Sequence, residues 1–452
     1  MSDISTKRSL LRHALTLARG RIPSQLIVQL TDSCNATCPQ CGMRRNAPFR
    51  RSLLSLADGR RIIDHAANSG IAALSFTGGE PFLYSKNLLT LLHYAGDAGI
   101  PFIRTGTNGF LFKNPDNPDF TSRISRLAEA LAATRLYTFW ISIDSSDPEV
   151  HERLRGLPGI MKGIERALPI FHEHGIFPSA NLGITKAILP QRPAAKAGSP
   201  TTTEEFRSGF RAFYRRVIDL GFTIANACYP MNIETDPSTS LSAVYEATAA
   251  VDCVRFSARE RHAMFTALLE TIPEFRSQIR IFSPLSSLHT LARRYSGEED
   301  RSYPCHGGSD FFFIDAKDGD TYPCGYRGAE NLGKFWDLDL KNPPCKPSCR
   351  ECDWECFRDP SELLGPFQEF FSAPVRLAKR LLLDRIHTSL WLNDLRYYRA
   401  SEYFNGRQAP DYRKLARFAP GSPHTEASGV MEFQGGSINL NQQELQFQKK
   451  RM

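Results

Sequence analysis

Three cysteines near the start of the chain have the spacing of a metal centre. Cys34, Cys38 and Cys41 lie within eight residues and follow the apolar run 26–30, so their thiols can converge on one point. A structural zinc site takes four Cys or His ligands, and the next histidine along the chain is His65. Three thiolates suit an iron–sulfur cube better, because they hold three irons and leave the fourth open to an external ligand.

A second motif follows the next apolar run. It consists of Gly78, Gly79, Glu80 and Pro81. Paired glycines let a backbone approach a ligand closely, a carboxylate can accept a hydrogen bond from an ammonium group, and proline suits the start of a helix. Together the two motifs resemble the radical S-adenosylmethionine (radical SAM) superfamily, in which the cysteine loop follows the first barrel strand and the Gly-Gly-Glu-Pro motif follows the second.

This resemblance implies cofactors and an activity. Cys34, Cys38 and Cys41 would bind a [4Fe–4S] cluster whose open iron chelates S-adenosylmethionine (SAM). One electron passed through the cluster would cleave SAM to methionine and a 5′-deoxyadenosyl radical, which abstracts hydrogen from a substrate. A flavodoxin or ferredoxin would be the reductant. No residue is assigned to the hydrogen abstraction itself.

The resemblance also implies SAM-binding residues at the ends of the second, third and fourth strands. The predicted set is Gly78, Gly79, Glu80, Pro81, Thr107, Asn108, Ser142, Asp144 and Arg155. His151 is interpreted as a residue of a helix surface. At Gln40 the chain departs from the family, which usually has an aromatic residue there to pack against the adenine.

A repeating strand–helix pattern supplies the elements that position these residues. Six short apolar or β-branched runs alternate with helical segments; they are 26–31, 72–77, 102–107, 138–144, 180–185 and 223–229. Such alternation predicts a parallel sheet with its site at the carboxyl ends of the strands. With the resemblance, it predicts an α/β fold: an open six-stranded parallel (β/α)6 partial TIM barrel with a small Cys-rich C-terminal auxiliary domain.

Six more cysteines lie in a second region. They are Cys305, Cys324, Cys345, Cys349, Cys352 and Cys356. The region resembles the SPASM extension of radical SAM enzymes, although its later spacing of three, two and three residues differs from the family's two, five and three. All six are predicted ligands of one or two auxiliary iron–sulfur clusters, with Asp353, His306 or substrate completing a second one. A single shorter "twitch" cluster and a zinc ribbon are the alternatives.

Composition favours a protein of a reducing compartment. Nine of the eleven cysteines are in tight clusters, which favours metal centres over disulfides. No apolar stretch reaches the roughly 18 residues of a membrane-spanning helix, and the N-terminus lacks a secretory signal. We expect a cytoplasmic protein, with a peripheral position at the inner membrane as the alternative. The formal charge of +8 selects no partner, and no nucleic acid is expected because no RNA-binding motif is present.

The sequence predicts five segments. They are a basic amphipathic helix at 1–21, the partial barrel at 22–275, a SPASM- or twitch-like domain at 276–365, a basic aromatic helical extension at 366–418 and a tail at 419–452. The tail is expected to be disordered because it is rich in Gly, Ser and Gln.

Three functions are compatible with these observations. The first is modification of a peptide (a ribosomal natural product) or a small molecule; residues 1–21 are too short for a leader-binding domain, so another protein would present any leader. The alternative is modification of a membrane lipid or membrane-associated substrate, because the run 374–398 reads as a basic amphipathic helix. The remote alternative is an iron–sulfur electron-transfer or binding protein that does not cleave SAM.

Overall fold

The computed structural model describes Leu17 and residues 20–190, 200–230, 241–244 and 252–422. The predicted helix at 1–21 and the predicted tail at 419–452 lie largely outside the described residues, so both stay predictions. Among the helices that are described, none is long and apolar enough to cross a membrane.

One open sheet of nine strands organises the described part of the chain. The strands are β1 Gln25–Thr31, β2 Ala73–Gly78, β3 Phe102–Thr107, β4 Leu136–Ser142, β5 Ser179–Gly183, β6 Ile224–Cys228, β7 Arg280–Ile281, β8 Phe311–Ile314 and β9 Thr321–Tyr322. Their order is β7-β6-β5-β4-β3-β2-β1-β8-β9, and every neighbouring pair is parallel except β8 and β9. The outer strands β7 and β9 do not pair with each other, so the sheet is not closed.

The prediction of an open parallel α/β sheet is confirmed, and all six predicted strands are present in the predicted order. The sheet is longer than the six strands expected, because β7, β8 and β9 have only two to four residues and are too short to give an apolar period. β8 pairs with β1 on the side opposite β2. The cysteine-rich region is therefore connected directly to the barrel sheet.

Twelve α-helices accompany the sheet in the described residues. They are α1 Leu56–Ser69, α2 Ser85–Asp97, α3 Phe120–Ala132, α4 Pro148–Arg155, α5 Ile160–Glu173, α6 Thr203–Asp219, α7 Ala258–Phe275, α8 Leu285–Tyr295, α9 Glu355–Ser372, α10 Pro374–Leu383, α11 Arg385–Ala400 and α12 Tyr412–Leu415. Ser55 caps α1 by accepting a hydrogen bond from the Asp58 amide, and Gly70 ends α1 at a φ of 75°.

The two faces of β1 show how the sheet is covered. Leu26, Val28 and Leu30 belong to the main hydrophobic core that the helices complete. Because side chains alternate along a strand, Ile27 points to the opposite face, where it packs in a second core with Cys305. The cysteine-rich region therefore covers the inner face of the barrel beside β1.

Buried polar contacts join the C-terminal helices to the rest of the fold. Asp394 of α11 is fully buried, pairs with Arg276 at 2.7 Å and accepts hydrogen bonds from the Leu285 and Ser286 amides at the start of α8. In addition, α9 runs through the predicted boundary at 365/366. The cysteine-rich region and the helical extension thus share one helix.

Candidate functional site

The ends of β1 and β2 approach each other so closely that two positions require glycine. The Gly79 amide donates to the Thr31 carbonyl at 2.7 Å. A Cβ on Gly78 would lie 2.1 Å from the Thr31 carbonyl oxygen, and φ is +147° at this residue. A Cβ on Gly79 would lie 2.2 Å from the Ser33 carbonyl oxygen. The paired glycines therefore hold the start of the cysteine loop against the end of β2.

Cys34, Cys38 and Cys41, the first thiol group, lie together on this loop. Cys38 is buried and the other two are half-buried. Burial raises the pKa of the Cys38 thiol to about 12 and that of the Cys41 thiol to about 11, and the neighbouring thiols add to both shifts. Thiolates at these positions therefore need a positive partner such as a metal. In the described residues, no three His, Cys, Asp or Glu side chains are placed to hold a single metal ion.

Glu80 connects the ends of β2 and β3. Its carboxylate is fully buried and accepts hydrogen bonds from the Asn108 amide at 2.6 Å and the Phe82 amide at 3.1 Å. Burial raises its pKa to about 7, and the two amides oppose the shift. Thr107 is a further hydrogen-bond partner of this carboxylate. Glu80 therefore contacts the backbone both just after β2, at Phe82, and just after β3, at Asn108.

Asn108 brings the end of β3 to the cysteine loop. Its side-chain amide donates to Asn35 Oδ1 at 2.8 Å and lies 3.6 Å from Cys34 Sγ. Its own oxygen accepts a hydrogen bond from the Phe110 amide at 3.0 Å. Asn35 was not predicted as a site residue; its position between two of the cysteines was the only sequence signal.

A buried ion pair follows β4. Arg155 lies 2.8 Å from the Asp144 carboxylate, and Gln40 of the cysteine loop donates to the same carboxylate at 3.1 Å. The Asp144 amide donates to His151 Nδ1 at 3.0 Å. His151 is fully buried, so its interpretation as a helix-surface residue is wrong; it points back to the strand end instead. Gln40, known from the sequence only as a departure, is thus part of this network.

Several polar atoms beside the first thiol group are buried and lack a hydrogen-bond partner among the described residues. They are Gln40 Oε1, His151 Nε2 and Arg155 Nε. Arg155 also lowers the pKa values of the three thiols, against the larger effect of burial. A donor, an acceptor and a positive charge are therefore available here to a polar ligand.

Two predicted residues take less part in this network. Ser142 is half-buried at the carboxyl end of β4. Pro81 is buried and begins a 3-10 helix, Pro81–Tyr84, which is its expected role at a helix start. The structure therefore brings Glu80, Thr107, Asn108, Asp144 and Arg155 to the cysteine loop, while Pro81 acts in the local turn.

Four cysteines of the later region form a second thiol group. They are Cys305, Cys324, Cys349 and Cys352, each close enough to the others for the thiols to shift one another's pKa. Burial raises the pKa of Cys352 to about 12, and the nearby thiols of Cys305 and Cys349 raise it further. The Cys305 amide donates to the Cys349 carbonyl at 2.8 Å. The guanidinium of Arg358 is close enough to lower the Cys352 pKa, against burial.

The other two predicted cysteines have different neighbours. Cys356 Sγ lies 3.5 Å from Glu355 Oε1, and the same carboxylate accepts a hydrogen bond from the thiol of Cys228 at the end of β6. Cys345 lies against Gly308, where an added Cβ would be 3.0 Å from its sulfur. Sequence spacing grouped all six cysteines because it carries no information on which way each side chain turns.

Comparison with known proteins gives a family match for the part of the chain that holds the first thiol group. Residues 28–186 match the model of the Radical SAM superfamily. These residues are therefore similar to a radical SAM domain. The match includes Cys34, the Gly78-Gly79-Glu80-Pro81 motif and Arg155.

The chain aligns with only part of each of two curated relatives. The chain is 30% identical over 158 residues to GTP 3′,8-cyclase of Vibrio parahaemolyticus, covering 33% of this chain and 42% of the relative. It is 28% identical over 143 residues to the AdoMet-dependent heme synthase of Methanosarcina barkeri, covering 32% of this chain and 37% of the relative. The chain therefore spans about two fifths of the length of these curated relatives.

Two solved structures overlay on more of the chain at lower identity. SuiB of Streptococcus suis bound to S-adenosylmethionine gives a TM-score of 0.48 at 19% identity, covering 75% of this chain and 71% of SuiB. The enzyme anSMEcpe with bound AdoMet gives a TM-score of 0.46 at 15% identity, covering 78% of this chain and 98% of anSMEcpe.

Proposed function

We propose that the protein is a radical SAM enzyme that binds a [4Fe–4S] cluster and SAM, cleaves SAM reductively and abstracts hydrogen from a substrate. One observation carries the proposal: the first thiol group lies, inside the matched domain, against strand ends that bear Asn108 and the Asp144–Arg155 pair. The sulfur ligands and the buried charge are thus in one place.

The residues present fit both cofactors. Thiolates are good ligands of iron, and Cys34, Cys38 and Cys41 would hold the cluster. Arg155 Nε and Gln40 Oε1, buried without a partner among the described residues, offer a donor and an acceptor to SAM. When bound, the cluster and SAM supply the one-electron cleavage that yields methionine and a 5′-deoxyadenosyl radical.

The chain's own contribution is placement and exclusion of water. The contacts of Glu80 fix the ends of β2 and β3 relative to each other. Leu157 and Ile160 pack with Cys38, and Phe110 packs on the same cluster. An apolar wall of this kind keeps water from the thiols and from a reactive species formed beside them.

The test is SAM cleavage by anaerobically reconstituted protein with dithionite, measured as 5′-deoxyadenosine by liquid chromatography. Cys38→Ala should lower the yield on the order of a hundredfold or more, because a missing ligand costs more than a missing neighbour of a ligand. Cys253→Ala is the matched control, since this half-buried cysteine belongs to neither thiol group. It should cleave SAM like the parent protein.

Two results would contradict the proposal. Equal yields from Cys38→Ala and Cys253→Ala would overturn the ligand assignment. A parent protein with a full iron content but no 5′-deoxyadenosine would favour the remaining candidate, an iron–sulfur electron-transfer protein.

We also propose an auxiliary iron–sulfur cluster in a SPASM- or twitch-like domain at 276–365. The second thiol group supplies four mutually close thiols, which is a complete ligand set for such a cluster. Arg358 and Arg327 lie beside these thiols and offset their negative charge. Cys345 and Cys356 stay candidate ligands of a second cluster.

For the substrate we propose a peptide or a polar small molecule. The support is the inner face of β5 and β6, where Asn226 donates to Asn181 at 3.0 Å and the Cys228 thiol lies 3.4 Å from the same oxygen. Asn226 Oδ1 is buried and has no partner among the described residues. Amide side chains of this kind can hydrogen-bond a peptide backbone. A flavodoxin or ferredoxin as reductant and a cytoplasmic location belong to the same proposal.

Radical modification of a membrane lipid or of a membrane-associated substrate is the second candidate. The observation that favours it is the exposed apolar and basic surface of α10.

A further inference from the structure

The helices after the cysteine-rich region carry a large exposed apolar surface. Of the twelve large hydrophobic side chains exposed in the described part of the chain, seven lie between residues 370 and 392. They are Phe370, Phe371, Val375, Leu382, Leu383, Ile386 and Leu392. Val375 is 83% exposed and Leu382 is 68% exposed, so these side chains project from the surface and do not line a groove. We call residues 370–386 the apolar–basic patch.

Contacts on the opposite side of α10 explain why this surface faces outward. Leu377 is the only buried residue of α10. Arg380 stacks over the Tyr303 ring at 4.2 Å and pairs with Glu369 at 3.2 Å. The helix is therefore anchored through Leu377 and Arg380, which turns Val375 away from the protein.

The same outward surface is positively charged. Arg376, Lys379 and Arg385 are exposed. Lys379 follows Val375 by four residues and precedes Leu382 by three, so it lies on the apolar face of α10. The apolar and cationic side chains therefore share one face.

The acidic residues between 369 and 396 are turned inward. They are Glu369, Asp384 and Asp394. Glu369 is 2% exposed and pairs with Arg376 and Arg380, while Asp384 pairs with Arg293 and caps α11. Glu369 therefore balances Arg376 and Arg380, whereas the segment carries no exposed acid to offset Lys379 and Arg385.

We propose that the apolar–basic patch binds the anionic surface of a lipid bilayer, with α10 lying flat in the headgroup region. Projecting apolar side chains combined with cations match a surface whose headgroups are negative and whose interior is apolar. α10 has ten residues, about 15 Å, against the roughly 30 Å of a hydrocarbon core, so it can lie in the interface but cannot span it.

Charge also argues against the patch as a contact between two copies of this chain. A two-fold contact would place the cations of both copies in one interface, and the patch supplies no exposed acid to pair with them. Membrane binding is independent of which substrate the enzyme modifies, so its test does not depend on SAM cleavage.

The test is co-sedimentation of the full chain with 100 nm vesicles of phosphatidylcholine alone or with 30% phosphatidylglycerol. We expect binding to the anionic vesicles that weakens as salt is raised. Lys379→Gln/Arg385→Gln should weaken it roughly ten- to thirtyfold, because each cation near an anionic surface contributes about one tenfold step or less. Val375→Ser/Leu382→Ser should weaken it at every salt concentration, since it removes the apolar contribution.

Arg126→Gln/Arg215→Gln is the control for net charge, because both arginines are exposed on the outer helices α3 and α6. It should bind like the parent chain. Equal loss in this control, unchanged binding in both patch variants, or no binding to anionic vesicles would overturn the proposal. Sedimentation velocity adds a further arm: a dimer that the Val375→Ser/Leu382→Ser change dissociates, without vesicle binding, would assign the patch to self-association.

Discussion

The first and second thiol groups both combine buried and half-buried cysteines, but the protein balances their charge differently. Beside the first group, Arg155 is committed to Asp144 at 2.8 Å. Beside the second, the buried Arg358 has no acidic partner at hydrogen-bond distance among the described residues and donates to the carbonyls of Tyr303 at 2.8 Å and Cys352 at 3.3 Å. Burial lowers the pKa of Arg358, but the nearby thiols of Cys305 and Cys352, together with the carboxylate of Glu362, outweigh it and raise the pKa.

This difference indicates how much each group depends on its metal. Arg358 provides the second group with a permanent positive charge that the protein already solvates with backbone carbonyls. In the first group the charge of Arg155 is shared with a carboxylate, so thiolates there rely more on the bound cluster. The two groups also differ in their place in the fold. The first group lies at the ends of the strands, whereas the second lies in the cysteine-rich region that covers the inner face beside β1.

The largest expected effect comes from Gly79→Ala, which should destroy the first group and spare the second. The added Cβ would lie 2.2 Å from the Ser33 carbonyl oxygen and 2.9 Å from that of Asp32, both backbone atoms that cannot move without displacing the cysteine loop. We expect the free energy of unfolding to fall by about 3 kcal/mol. We also expect SAM cleavage to be lost. Iron content and the electron spin resonance signals of the two centres are the measurements.

Gly96→Ala is the matched control for this change. The nearest atoms to its Cβ would be Cβ, Cγ and Cδ of the Arg135 side chain, at 3.0 to 3.3 Å, so a shift of a few tenths of an ångström would relieve the contact. We expect near-parent stability and SAM cleavage. Simultaneous loss of both centres in Gly79→Ala would show that the two groups do not form independently, which contradicts the comparison.

The next effect is on iron content in the second group. Cys352→Ala should remove about four irons per chain, because one of four thiols is lost from a single cluster. The first group should keep its iron and its SAM-dependent signal. Cys345→Ala is the control, since Cys345 lies against Gly308 and its thiol is not among the groups with the largest effects on the Cys352 pKa. Equal iron loss in both variants would mean that Cys345 belongs to the same cluster.

The first group was largely predictable from the sequence, and the reason is local spacing. Cys34, Cys38 and Cys41 are close in the chain, and the parallel strands that bring Asn108 and Asp144 to them each carry an apolar run that predicts a strand. The second group was predictable only as a region. Which of the six cysteines join the second group depends on the start of α9, which turns Cys356 toward Glu355 and Cys228. No period or spacing encodes that direction.

Gln40→Leu should have the smallest effect, and it tests how far the first group depends on distant parts of the chain. The Gln40 amide donates to the Asp144 carboxylate at 3.1 Å and so joins the cysteine loop to the end of β4. Its loss should lower the free energy of unfolding by about 1.5 kcal/mol, the lower end of the range for one hydrogen bond to a charged group, while Arg155 keeps its ion pair. Thermal or denaturant unfolding of the anaerobic protein is the measurement.

Gln278→Leu is the matched control, because Gln278 is exposed and its side-chain amide donates to the Glu274 carbonyl, an uncharged acceptor, at 3.2 Å. Its stability should change by less than about 0.5 kcal/mol. SAM affinity separates two roles for Gln40. If the Oε1 that lacks a partner among the described residues faces the bound cofactor, the Leu variant weakens SAM binding as well as stability, since one acceptor is lost. Loss of stability with parent SAM affinity would instead limit Gln40 to holding the loop against Asp144.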